Sequence, residues 1–157
     1  MRKVCGALLP LFLWGCSSGS SEKAKEIKTG GTTITMPEDE TRRFPSEDRV
    51  STSIVPEHVI DPSLDPGGTK GDYRNGQGAY EVDLVHTSTN EKAAFLLLDV
   101  KKLLTNPKYL PNMGGYFGAK EGKPFYTFAK GAYLVCIKGI PEKQADVFAR
   151  TFAARLP

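Results

Sequence analysis

Apolar and polar positions alternate most clearly in residues 79–86, a pattern that predicts a half-buried strand. Its apolar face is formed by Tyr80, Val82, Leu84 and His86. Glu81 and Asp83 lie on the opposite face, where two neighbouring acids are expected to be solvated and to keep ordinary pKa values. Further along, residues 125–128 and 133–137 are rich in aromatic and β-branched side chains and flank a Lys-Gly turn, which predicts a hairpin.

Two helices are predicted between and after these strands. Ser88 and Glu91 fit a capping box, and the apolar residues that follow recur at helical spacing up to Asn106-Pro107, where the helix must end. Pro141 suits the first position of a second helix, and Glu142 suits the positive end of its dipole. The buried stripe of this second helix consists of Ala145, Phe148, Ala149, Phe152 and Leu156.

The elements of residues 76–157 therefore follow the order β-α-β-β-α. This order predicts a small α+β domain, in which two helices pack on one face of a small antiparallel sheet. In this pattern of strand, alanine-containing helix and late aromatic hairpin, residues 76–157 are similar to uncharacterised domains of exported bacterial proteins.

The chain before residue 76 has few apolar residues and many residues that interrupt regular secondary structure. Residues 17–21 are a Ser/Gly run, which is typical of a flexible tether. Prolines interrupt the rest of the segment at positions 37, 45, 56, 62 and 66. We therefore expect residues 16–75 to be a mostly disordered tether.

The first fifteen residues have the layout of an export signal. Arg2 and Lys3 give a positive start, and residues 4–14 supply a short apolar stretch. At about ten residues this stretch is too short to span a bilayer core of about 30 Å as a helix. Leu13-Trp14-Gly15-Cys16 then resembles the lipobox of bacterial lipoproteins, although Trp14 is bulkier than the residue usually found there.

The lipobox resemblance implies a specific modification. Diacylglycerol is attached to the Cys16 sulfur, residues 1–15 are removed, and the new amine is acylated, so that acyl chains such as palmitate hold the protein to a membrane. We therefore expect a lipoprotein of the cell envelope. In a Gram-negative periplasm, Ser17 after the cysteine favours the outer membrane.

Charge argues against a nucleic-acid partner. The chain has 21 basic and 18 acidic residues, and two of the basic ones, Arg2 and Lys3, lie in the signal. The remaining lysines are scattered and do not cluster on one face, as a binder of DNA or RNA would require.

Cysteine usage agrees with export. Cys5 lies in the signal and Cys16 is assigned to the lipid, so the mature chain keeps Cys136 as its one thiol and no intramolecular disulfide is predicted. Cys136 lies in the apolar run of residues 132–137, and a cysteine in such a run is usually part of the core.

The remaining chemistry-bearing residues do not form a recognisable catalytic or metal motif. His58 and His86 are not at metal-ligand spacing. Residues 118–124 have three residues between the glycines where a phosphate loop needs four, and Pro124 replaces the required Ser or Thr. We therefore predict no catalytic residue, metal ligand or cofactor, and we expect that the protein is not an enzyme.

One surface remains a candidate for binding. Tyr109, Tyr116 and Phe117 lie in or beside the glycine-rich connection of residues 111–124 and are candidates for an aromatic surface. The leading hypothesis is a membrane-anchored, non-catalytic module for binding or assembly with an envelope protein. The alternatives are a small-ligand or redox accessory protein that uses this aromatic loop, and an enzyme whose site only the fold assembles.

Overall fold

The computed structural model describes residues 26–29 and 32–157. The predicted signal and the lipobox around Cys16 lie outside the described residues. The strands are β1 (Glu26–Thr29), β2 (Thr32–Thr35), β3 (Arg49–Glu57), β4 (Pro66–Asn75), β5 (Gly78–His86), β6 (Thr105–Leu110), β7 (Gly115–Lys120), β8 (Lys123–Lys130) and β9 (Tyr133–Lys138). The helices are α1 (Asn90–Lys102) and α2 (Glu142–Ala153), and Thr41–Arg43 form a short 3-10 turn.

Seven of the strands form one sheet in the order β3-β4-β5-β9-β8-β7-β6, and every neighbouring pair is antiparallel. The chain runs through β3, β4 and β5, crosses through α1 to the far edge, and returns through β6 to β9. The last strand therefore lies in the centre, beside β5. The α+β class is confirmed, but the sheet is larger than predicted and the element order is different. Strands β1 and β2 pair with each other in a separate hairpin.

The position of each strand follows from its side chains. Residues 133–137 of β9 are all buried, as a central strand covered on both faces requires. The two edge strands each contain a proline, Pro56 in β3 and Pro107 in β6. Proline has no N–H to donate to a neighbour, so an edge is where a sheet tolerates it.

The two helices pack on opposite faces of the sheet, so the prediction that they share one face is wrong. Helix α2 contributes Ala145, Ala149 and Phe152 to a cluster with Val82 and Val135. Helix α1 contributes Leu97 and Val100 to a second cluster that contains the alternate strand residues, among them Val85, Leu134 and Cys136. Strands β5, β8 and β9 therefore supply core to both layers.

The helix starts are close to those predicted, but α1 ends at Lys102, before the predicted stop at Asn106-Pro107, which lies in β6. Helix α1 is capped by Thr89, whose Oγ1 accepts a hydrogen bond from the Lys92 N–H at 3.2 Å. The cap therefore lies one residue after the predicted Ser88. Helix α2 begins at Glu142, one residue after the predicted first position, because Pro141 is extended and serves as the N-cap.

The prediction that residues 16–75 form a disordered tether is wrong for much of its length. Strands β3 and β4 belong to the main sheet. The segment before them also joins the core, because Phe44 is 1% exposed and its ring meets that of Phe152 edge to face, with centroids 5.1 Å apart. We call residues 36–45 the strap. The folded domain thus starts some forty residues earlier than the predicted boundary at residue 76.

Among the described residues, no helix has both the length and the apolar character needed to cross a membrane.

Candidate functional site

Three neighbouring strands bring a set of charged side chains together on the face of the sheet that carries α1. Lys70 pairs with Asp83 in the register of β4 and β5, and Glu81 pairs with Lys138 in the register of β5 and β9. Alternate residues share a face, so all four side chains point the same way. We call these four residues, together with Asp72 of β4, the charged face.

The charges on this face alternate and are in contact. Lys138 Nζ forms ion pairs with Asp83 Oδ2 and, at 3.0 Å, with Glu81 Oε1. Lys70 Nζ contacts the other oxygen of Glu81 and lies 3.7 Å from Asp72. The Lys138 ammonium also donates to the Ile60 carbonyl at 3.3 Å, so the loop between β3 and β4 covers the pair.

Asp83 is the most unusual member of the charged face. The sequence predicts a solvated acid at this position, which is wrong, because the residue is 0% exposed. Burial raises the pKa of its carboxyl to about 7, although the neighbouring Lys138 ammonium acts in the opposite direction. Neither carboxylate oxygen has a hydrogen-bond partner of good geometry among the described residues. Asp83 is thus a buried acid with an incomplete set of partners.

The pKa values of Lys138 and Glu81, which lie beside Asp83, are shifted in the directions that favour ion pairing. Burial alone lowers the pKa of Lys138, but the carboxylates of Asp83 and Glu81 more than reverse this and leave it raised. Burial raises the pKa of Glu81, and hydrogen bonds from Lys70 and Lys138 outweigh that effect and leave it lowered. Strongly shifted groups of this kind concentrate at functional sites, so the charged face is our candidate site.

Cys136 is adjacent to Asp83 in the register and is inert. It is fully buried, as the sequence predicts, and its thiol lies 3.4 Å from the Thr127 hydroxyl. Burial raises its pKa to about 12. A thiol of this kind is not a nucleophile at neutral pH.

A cavity of about 710 Å³ opens at the end of the charged face. Glu81 and Lys138 line it on one side, and the turn between β7 and β8 lines it on the other. Lys120 in this lining is paired with Asp61. Arg74 and Lys123 line the cavity as well, and neither has an ion-pair partner among the described residues. Asp72 and Glu121 also line the cavity, but their ion-pair partners are Lys70 and Lys120, so Arg74 and Lys123 remain to meet an incoming anion.

A second polar cluster lies where the strap meets the main sheet. Glu40 is buried, and its Oε2 accepts a hydrogen bond from Arg43 Nε at 2.6 Å. The Tyr133 hydroxyl donates to Glu40 Oε1 at 3.3 Å, and the Tyr133 ring stacks on that of His86 with centroids 4.3 Å apart. His86 Nδ1 also lies 3.2 Å from Glu38 Oε2. The sequence gives no sign of this cluster, since Glu38 and Glu40 are more than forty residues from His86.

The predicted aromatic surface is divided by the sheet. Tyr109 and Tyr116 are paired in β6 and β7, with ring centroids 5.5 Å apart, and Tyr109 is 54% exposed. Phe117 points to the other face and packs beside Tyr126. The glycine-rich connection of residues 111–124 thus contains strand β7 and the start of β8, and Tyr109 lies before it in β6.

His58 and residues 118–124, which do not match metal-binding or phosphate-binding motifs in the sequence, are part of ordinary loop, turn and strand structure. His58 Nδ1 lies 2.9 Å from the Leu64 carbonyl in the loop between β3 and β4. Residues 118–124 form the end of β7, a turn, and the start of β8.

The architecture is thus an antiparallel seven-stranded sheet with one helix on each face. Comparison with solved structures finds a similar fold. A crystal structure described as a GTP binding regulator from Thermotoga maritima has a similar fold, with a TM-score of 0.55. The two chains are 14% identical, and the match covers 73% of this chain and 82% of that one. At this identity the likeness shows the fold alone. No family model and no curated protein matches the sequence.

Proposed function

We propose that this protein is a membrane-anchored lipoprotein whose domain is a non-catalytic module that binds an anionic ligand at the cavity beside the charged face. The anchor is supported by Leu13-Trp14-Gly15-Cys16, which resembles a lipobox directly after a short apolar stretch. The binding role is supported by the cavity, in which neither Arg74 nor Lys123 forms an ion pair with a carboxylate of the described residues.

A binding role fits the electrostatics better than a catalytic one. Asp83 is the acid with the raised pKa, but it is 0% exposed and lies beneath Lys138, so it cannot reach a substrate in the cavity. Asp72, Glu81 and Lys138 are the members of the charged face that line the cavity, and Glu81 and Lys138 form an ion pair with each other. Arg74 and Lys123 remain available for charge-assisted hydrogen bonds to carboxylate or phosphate oxygens.

The structural relative supplies a first probe. Its description names GTP, and the nucleotide carries the phosphate oxygens that Arg74 and Lys123 would bind. Since residues 118–124 are strand and turn, any phosphate contact in this chain would come from these side chains and not from a phosphate loop.

The test is a titration of the purified protein with GTP and, separately, with inorganic phosphate, followed by NMR. We expect anion addition to shift the resonances of residues that line the cavity. The Arg74→Ala, Lys123→Ala double variant should weaken binding at least tenfold, because each lost charge-assisted contact costs about 1.5–3 kcal/mol.

Lys143→Ala provides the matched control, since Lys143 is an exposed lysine of α2 on the other face of the sheet. It should leave the affinity unchanged. If neither anion shifts the cavity resonances at millimolar concentration, or if Lys143→Ala weakens binding as much as the double variant, the anion-binding proposal is wrong.

A further inference from the structure

We propose that Glu38, Glu40 and His86 form a binding site for a divalent transition-metal ion, with zinc as the best match to the donor atoms. These residues come from the strap and from the end of β5, and they are distinct from the charged face and its cavity. The proposal therefore stands independently of the anion-binding role.

The spacing of the donor atoms fits a tetrahedral ion. His86 Nδ1 lies 3.2 Å from Glu38 Oε2 and 3.5 Å from Glu40 Oε1, and all three atoms lie within 4.8 Å of one another. Zinc holds nitrogen and oxygen ligands at about 2.0–2.2 Å, so neighbouring ligands of a tetrahedral ion are about 3.3–3.6 Å apart. Two of the three separations are therefore already close to those of a bound ion.

The donor types also favour this class of ion. Imidazole nitrogen suits zinc, copper, nickel and iron, whereas calcium and magnesium prefer sites made of oxygen alone. One imidazole and two carboxylates leave the fourth position of a tetrahedral zinc for water.

The backbone that carries the two carboxylates is fixed by a buried hydroxyl. Thr69, which is 0% exposed, accepts a hydrogen bond from the Glu40 N–H at 3.1 Å. The same hydroxyl donates to the Glu38 carbonyl at 3.3 Å. A single side chain of β4 thus sets the conformation of the strap at both ligands, which reduces the entropy that metal binding would have to offset.

The side chains of Glu40 and His86 are held in orientations that suit coordination. Arg43 and Arg42 both approach Glu40 through Oε2, with Nε at 2.6 Å and 3.9 Å. The other oxygen, Oε1, lies 3.5 Å from His86 Nδ1 and also accepts the hydrogen bond from the Tyr133 hydroxyl. The Tyr133 ring, stacked on the imidazole, restricts its rotation. Such outer contacts orient metal ligands, and losing one typically lowers metal affinity by about 10- to 100-fold.

The test is a zinc titration of the purified full chain in competition with a chromogenic chelator. We expect one site per chain whose affinity falls at least tenfold in His86→Ala and in Glu38→Ala. Both positions are partly exposed in the structure, so these variants should fold, which circular dichroism will check. His58→Ala is the matched control, because His58 is the other histidine of the sequence, and it should bind as the wild type does.

A second readout avoids the variants altogether. Zinc should shift the ring resonances of His86 in the NMR spectrum of the wild-type protein and leave those of His58 in place. The proposal is overturned if the wild type binds zinc no more tightly than His86→Ala, or if zinc shifts His58 and not His86.

Discussion

Asp83 illustrates at the scale of one residue what a sequence pattern can and cannot reveal. The alternation of residues 79–86 correctly places Asp83 opposite Val82 and Leu84. It does not reveal that the opposite face is also covered, by α1 and by the loop that contains Ile60. Whether an acid on a strand is solvated or buried depends on what packs over it. Here that is decided by α1, which begins seven residues after Asp83, and by the loop around Ile60, 23 residues before it.

The raised pKa of Asp83 predicts a specific pH dependence of stability. Its pKa is about 7 in the folded protein against 3.8 as the ordinary value, so the native state binds this proton more tightly than the unfolded state does. The contribution of the protonated Asp83 carboxyl to the free energy of unfolding is therefore fully present below about pH 4. It is lost as the pH rises to about 7, and its upper limit is roughly 4 kcal/mol.

Urea unfolding of the wild type and of Asp83→Asn between pH 4.5 and pH 8 measures this contribution. We expect the wild type to lose stability relative to Asp83→Asn as the pH rises. Asp72→Asn, which alters a carboxylate of the same face but retains Asp83, should keep the wild-type slope. A difference between wild type and Asp83→Asn that stays constant or grows with pH would show that the pKa of Asp83 is not raised.

At the scale of elements, the predictions succeed where a segment buries a continuous apolar pattern. Strands β5, β8 and β9 and both helices do so, and all five lie close to their predicted positions. Strand β4 does not bury such a pattern. One of its faces carries Lys70 and Asp72 of the charged face, and Tyr73 is the one large buried side chain on the other. The residues of β4 do not by themselves predict a strand, and its place in the sheet depends on pairing with the neighbouring strands.

Strand β7 is missed for a different reason. Its glycines suggest a flexible connection, but Gly115 is required by close packing, since a Cβ there would collide with the Thr127 carbonyl of β8. Glycine at such a position marks a close approach of two strands. Nothing in the local sequence distinguishes this use of glycine from its use in a loop.

The strap offers a direct test of where the folded domain begins. Phe44→Ala removes a ring that is 1% exposed, and we expect it to lower the free energy of unfolding by about 3–5 kcal/mol. Val50→Ala, nearby in β3 with a side chain that is 67% exposed, should change it by no more than about 0.5 kcal/mol. Chemical denaturation measures both values. Equal, small effects would mean that the strap belongs to the tether, as the sequence alone suggests.

At the scale of the whole molecule, the chain order explains why the architecture is hard to anticipate. The β-α-β-β-α pattern of residues 76–157 predicts a small sheet. A small sheet needs a helical layer on one face only, so both helices are expected on that face. Strands β3, β4, β6 and β7 widen the sheet. With β9 inserted at the centre and buried over residues 133–137, both faces need a helical layer, and α1 and α2 occupy one each.

The candidate sites depend on the same long-range arrangement. The charged face joins β4, β5 and β9, and the proposed metal site joins the strap to the end of β5. The residues of each site are too far apart in the chain to form a motif. The lipobox is a local motif, and that is why the sequence alone supports a prediction about Cys16.

The proposed function is that of a binding module held at a membrane by lipid on Cys16. The most direct test is the intact mass and detergent partition of the protein expressed in bacteria, compared with Cys16→Ser and with Cys5→Ser as the matched control. We predict that wild type and Cys5→Ser lose residues 1–15, gain the mass of the acyl chains and enter the detergent phase, while Cys16→Ser does not. If all three proteins are soluble and carry no lipid, the protein is not a lipoprotein and the claim is wrong.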